Sequence, residues 1–163
     1  MELHMHSHRW VARQPDWAAA AVAGFGAGGI LMVLELAWTA FVAQGDPWLA
    51  TRMVAAMVLG WDVLQTTGYS LGVVVAALAV HYILGVAFGI MLAAIIAPFQ
   101  LDSSTPMVLF AGAVFGLVLY ALNFYGMVGA FPWFAELRGW PTALGHVVFG
   151  MSCAYIYRRM ENP

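Results

Sequence analysis

Four polar side chains stand inside otherwise apolar runs of this 163-residue chain: Glu35, His81, Asn123 and His146. A charged side chain at the centre of a span costs roughly 3 kcal/mol on insertion scales, so Glu35 needs a partner, a proton or a wet pocket. A histidine is the obvious partner. Two imidazoles and a carboxylate, here His81, His146 and Glu35 with Asn123 in support behind them, are a common shell for a divalent metal. The same two histidines admit a b-type haem, ligated by His81 on one face and His146 on the other. A third chemistry is proton relay between Glu35 and a histidine, in a small proton-coupled or metal transporter acting as an oligomer. The plainest reading is structural: the four side chains hydrogen-bond the helices together and fix their register.

Beside these, His4, His6 and His8 alternate in a flexible tail over 1–16 and form a weak site for a soft or borderline ion. That tail precedes the first apolar run and lies on the opposite membrane face from Glu35. The serines lack a base at suitable spacing, and no Gly-rich loop precedes Lys-Ser or Lys-Thr, so an enzyme is the minority expectation. The lone Cys153, inside an apolar run, reads as a small packing residue.

The elements that must position these residues are membrane spans. Crossing about 30 Å of hydrocarbon takes about 20 apolar residues at 1.5 Å each. Runs of that kind cover 18–43, 71–96 and 107–128, and a shorter one, 140–157, opens on Trp140-Pro141 and ends before Arg158-Arg159. The expectation is an all-α membrane protein with four transmembrane helices in a single domain over 1–163. A short interfacial helix over 49–60, anchored by Trp48, Arg52 and Trp61, is expected in the first outer connection.

Spans pack through small residues that let backbones approach. The pairs here are Gly24/Gly28, Gly85/Gly89, Gly112/Gly116 and Gly150/Ala154. Glu35 lies eleven residues after Gly24, and Asn123 eleven after Gly112. At about 100° per residue that is three turns, so each polar group shares its glycine stripe. His81 and His146 each stand four residues before Gly85 and Gly150, on the same faces. The chain therefore reads as two helix-hairpin repeats running parallel, with all four polar groups meeting in the outer half of the bilayer. Trp38, Tyr82, Tyr120 and Tyr125 fall near that meeting point, and Arg52 and Arg138 are placed to close it from the outer connections.

Composition agrees with this reading. Hydrophobic residues make up 63% and charged ones 9%, against about 25% charged in soluble domains. A net charge of -2 with no lysine gives no basic field to gather nucleic acid. The partners expected are the lipid bilayer and either further copies of the chain or other membrane subunits. Arg9, Arg13, Arg158 and Arg159 sit on the tails against Arg52 and Arg138 in the connections between spans. Positive flanks stay inside, so both termini are expected in the cytoplasm.

The segments Arg52 to Gly60, Asn123-Phe124-Tyr125-Gly126, Phe131-Pro132-Trp133-Phe134 and His146-Val147-Val148-Phe149-Gly150 resemble a group of small, uncharacterised bacterial four-span membrane proteins. The likeness covers nearly the whole chain from Gly24 to Tyr157. It implies a bacterial inner-membrane protein and brings no reaction and no catalytic residues. Some of that group carry a loose sodium/proline symporter label. It does not fit this chain, since such symporters are bundles of more than ten spans with broken helices.

Overall fold

The computed structural model describes residues 13–43 and 45–161. The tail histidines His4, His6 and His8 lie outside the described residues. Every regular element among the described residues is helical: α1 (Trp17–Trp38), α2 (Leu49–Leu59), α3 (Leu71–Phe99), α4 (Thr105–Ala121) and α5 (Trp140–Met160), with short 3-10 turns in the α2–α3 and α4–α5 connections. Local sequence sets the helix starts. The Asp16 carboxylate accepts from the Ala19 amide at 3.0 Å and opens α1, and the Ser104 hydroxyl accepts from the Met107 amide at 3.3 Å and opens α4. Pro106 and Pro141 occupy the first turns of α4 and α5, where a missing N–H costs nothing.

Two helices continue past their α-helical bodies in π-turns, α1 through Thr39–Ala43 and α4 through Leu122–Gly126. With these extensions Trp17–Ala43, Leu71–Phe99 and Thr105–Gly129 are long and apolar enough to cross a membrane. The chain is a helical membrane protein on that ground. The fourth expected run, now α5, is 21 residues long but is not among the three. Polar residues such as Thr142, His146 and Ser152 dilute its apolar run, and α5 packs between α1 and α4. It turns Gly145, His146, Gly150, Cys153 and Tyr157 into protein, where neighbours rather than lipid meet its polar groups.

The helices lie with α1 and α5 in the middle, α3 flanking α1 and α4 flanking α5. Glycines make both flanking contacts. A methyl group at Gly24 would collide with the Gly85 carbonyl, and one at Gly89 with the Ala20 carbonyl. On the other side, methyls at Gly112 and Gly150 would each strike the carbonyl of the other residue, and one at Gly116 that of His146. These four helices approach backbone to backbone, and dispersion between closely spaced chains replaces the hydrophobic burial that lipid cannot supply. Ala20, Ala23, Ala27, Leu92, Leu119, Phe149 and Cys153 fill the core between them.

At one end of the bundle the described ends of the chain are tied to the α3–α4 turn. Arg13 pairs with both Asp102 and Glu161, the latter at 2.8 Å. Arg158 donates to the Asp102 carbonyl at 2.8 Å and to the Thr105 hydroxyl. The Tyr157 hydroxyl accepts from the Asp16 amide at 3.2 Å.

The opposite end is covered by α2, which forms over Leu49–Leu59 where a short helix over 49–60 is expected. One face of α2 holds Ala50, Val54 and Met57 over the space between the long helices. The other buries Met53 and Ala56 with Phe124, Trp133 and Phe134, and the Trp133 indole donates to the Met53 carbonyl at 3.0 Å. Arg52 is no surface anchor. Its side chain is buried and bonds Asp46 at 2.5 Å. Gly60, at φ 91, makes the left-handed turn that releases the chain from α2.

Candidate functional site

His81 projects from α3 toward α1, and its Nε2 lies 2.8 Å from the Gly28 carbonyl oxygen. A carbonyl only accepts, so Nε2 carries the proton and Nδ1 keeps its lone pair in the neutral ring. His146 on α5 makes the other choice. Its Nδ1 donates back along its own helix to the Thr142 carbonyl at 2.9 Å, leaving Nε2 as the acceptor. The Asn123 amide nitrogen approaches that Nε2 at 3.5 Å. Phe124 and Tyr120 stand around the buried His146 ring, with centroids at 5.3 and 6.1 Å. Asn123 and Phe124 reach it from the π-turn at the end of α4, whose extra residue turns the chain back over α5.

Glu35 is half-buried on α1. Among the described residues no side chain donates to its carboxylate. Its backbone carbonyl accepts from the Thr39 hydroxyl at 2.9 Å, in the first residue of the α1 π-turn. Glu35, His81, Asn123 and His146 all line one cavity of about 340 Å³, together with Trp38, Phe134, Trp140 and the underside of α2. A second space of about 210 Å³ lies between α1, α2 and α3. It shares Glu35, Thr39, Ala50, Val54 and His81 with the first, so those residues stand where the two meet.

The residues that share a cavity do not share a coordination sphere. Among the described residues no group of three or more His, Cys, Asp and Glu is close enough to hold a metal ion. The glycines near His81 and His146 are taken up in helix contacts rather than opening space for a haem ring. Neither arginine of the connections between the long helices closes the site. Arg52 is held by Asp46, and Arg138 donates through Nε to the Phe124 carbonyl at 2.6 Å, with its guanidinium 4.3 Å from the centre of the Tyr125 ring. Tyr82 stacks on Phe25 at 4.2 Å, and Tyr120 accepts from the Gly139 amide at 3.1 Å. Of the four expected aromatics only Trp38 lines the cavity.

Sequence reasoning missed Thr39, Trp140 and the α2 residues. Thr39 was within reach, since it follows Glu35 by four residues and shares its face. Trp140 meets Trp38 edge to face at 5.0 Å, a contact between helix ends that spacing along one helix does not encode. No family model, curated protein or solved structure matches the chain.

Proposed function

We propose that this chain is a four-span bundle of the bacterial inner membrane, built from two parallel helix-hairpin repeats with both termini in the cytoplasm, and that its cavity is a receptor site for a small apolar molecule. One observation carries the receptor reading. A space of about 340 Å³ with mostly apolar walls gathers a few polar groups from α1, α3, α4's π-turn and α5, the make-up and size of small-molecule sites, which run from about 300 Å³ upward. A purely structural cluster has no need of a cavity: buried polar groups that only fix register pack against one another. The repeat is supported by the matching glycine contacts and by the π-turn that ends the first helix of each hairpin. The fourth crossing is supported by the 21 residues of α5, about 31 Å at 1.5 Å each.

The reading is tested with the full chain in lipid nanodiscs, titrated with an environment-sensitive apolar dye. Saturable binding near one dye per chain is expected. Ala50→Phe, which puts a ring where both cavities meet, should weaken it by about tenfold or more, the effect of filling a site. Unsaturable partition, or equal binding to Ala50→Phe, overturns the receptor.

A further inference from the structure

The kind of molecule that fits follows from what the polar groups have left to offer, given the receptor reading above. The Thr39 hydroxyl hydrogen is committed to the Glu35 carbonyl, the His81 Nε2 hydrogen to Gly28 and the His146 Nδ1 hydrogen to Thr142. One Asn123 amide hydrogen is directed at His146 Nε2. What remains on the lining residues is a set of acceptors, the Glu35 carboxylate, the His81 Nδ1 lone pair and the Asn123 carbonyl oxygen, beside the neutral donors of Trp38, Trp140 and Thr142, so the carboxylate is the one group there that calls for a charged partner. No arginine lines either space, and the chain has no lysine.

We propose that the ligand is an amphiphilic cation, its ammonium head seated on Glu35 beside His81 where the two cavities meet and its apolar body in the larger one. Three physical points support the assignment. A carboxylate without a donor in an apolar setting is expensive, and a cation that carries its own N–H groups relieves that cost while gaining charge-assisted hydrogen bonds. Trp38 and Trp140, against each other at the same cavity, offer ring faces on which a cation is attracted. An anionic ligand would meet Glu35 with no arginine to offset the repulsion. A metal ion fits poorly, because among the described residues no group of three His, Cys, Asp or Glu side chains is placed to hold one.

Three probes with one body separate this inference from the receptor reading: 4-phenylbutylamine, 4-phenylbutanol and 4-phenylbutanoate, each displacing the dye from the full chain in phosphatidylcholine nanodiscs at pH 7. The amine is expected to bind about tenfold or more tighter than the alcohol, the gain of one hydrogen bond to a charged partner, with the carboxylate weakest. Glu35→Gln should erase the amine's advantage over the alcohol, with the thermal unfolding midpoint in detergent reporting that the variant is folded. Glu35→Asp should keep the preference for the amine. If alcohol and amine bind alike and Glu35→Gln changes neither, the cation assignment is overturned while the receptor stands. If none of the three displaces the dye, the receptor reading fails, and the assignment with it.

Discussion

The α1/α3 pair and the α4/α5 pair meet through the same chemistry, glycine against carbonyl over two turns, and each has a polar residue eleven positions beyond its first glycine. At that residue they diverge. In the α4/α5 pair, Asn123 and His146 turn to each other and to Thr142 under a lid of aromatic rings. In the α1/α3 pair, His81 bonds the Gly28 carbonyl, and no described side chain donates to the Glu35 carboxylate. Two similar frames thus hold one satisfied polar pair and one unsatisfied acid. The difference separates the part of the site that fixes geometry from the part that is open to a ligand, because a group already bonded within the fold has little left to give.

The largest expected effect tests whether the frames are alike. Gly24→Leu and Gly112→Leu each drive a side chain into a facing backbone, and each should cost about 3 kcal/mol or more, the upper end for overpacking. Thermal unfolding in detergent measures both, and a chain that tolerates one substitution but not the other breaks the equivalence of the two contacts. A smaller effect separates the polar residues themselves. Asn123→Leu removes a donor to His146 and should cost about 0.6 kcal/mol, the average for such bonds between membrane helices. Glu35→Leu removes a group with nothing to lose and should hold or raise the unfolding midpoint. A midpoint lowered as much by Glu35→Leu as by Asn123→Leu would mean that Glu35 is as well partnered as Asn123.

The smallest effect lies in the connections. The Arg52 guanidinium donating to Asp46, and then the Trp48 amide, hold the Asp46 carboxyl below the usual range. A depressed value in the folded state means that the stability it contributes is complete above the ordinary aspartate value of about 3.9 and fades as pH falls through the lower folded value. Acid titration of the unfolding midpoint should show a slight loss in that window which Asp46→Asn removes. The α4–α5 connection offers no counterpart, since Arg138 bonds a backbone carbonyl that does not titrate. Arg138→Gln should leave the acid profile unchanged.

Much of the frame was legible in the sequence because it is one-dimensional arithmetic. Turns of 3.6 residues place Glu35 with Gly24, Asn123 with Gly112, and each histidine with the glycine four residues on, whatever the helices pack against. The cavity onto which those residues converge was not legible in this way. Its roof depends on α2 folding in over the helix ends, which requires Trp133 to find the Met53 carbonyl 80 positions back in the chain. The burial of Arg52 follows from that docking, and hydropathy alone reads an arginine between apolar residues as an anchor at a surface. The modest apolarity of α5 is of the same kind: composition records what a helix contains, and its neighbours determine how much of it they cover.

The π-turns at Thr39–Ala43 and Leu122–Gly126 have a consequence for how such a chain can vary. A π-turn holds one residue more than the α-turn it replaces, so it acts as a phase slip in an otherwise regular rotation. Deleting a single residue there would restore an α-turn over the same angular span, so the segment beyond keeps its direction and the glycine contacts behind it stay in place. For α1 the turn leads on to Asp46 and the roof, and for α4 it carries Asn123 and Phe124 itself. Each of the two helices thus has, among the residues that line the cavity, a joint that absorbs a change of one residue in length without the packed body of the bundle registering it.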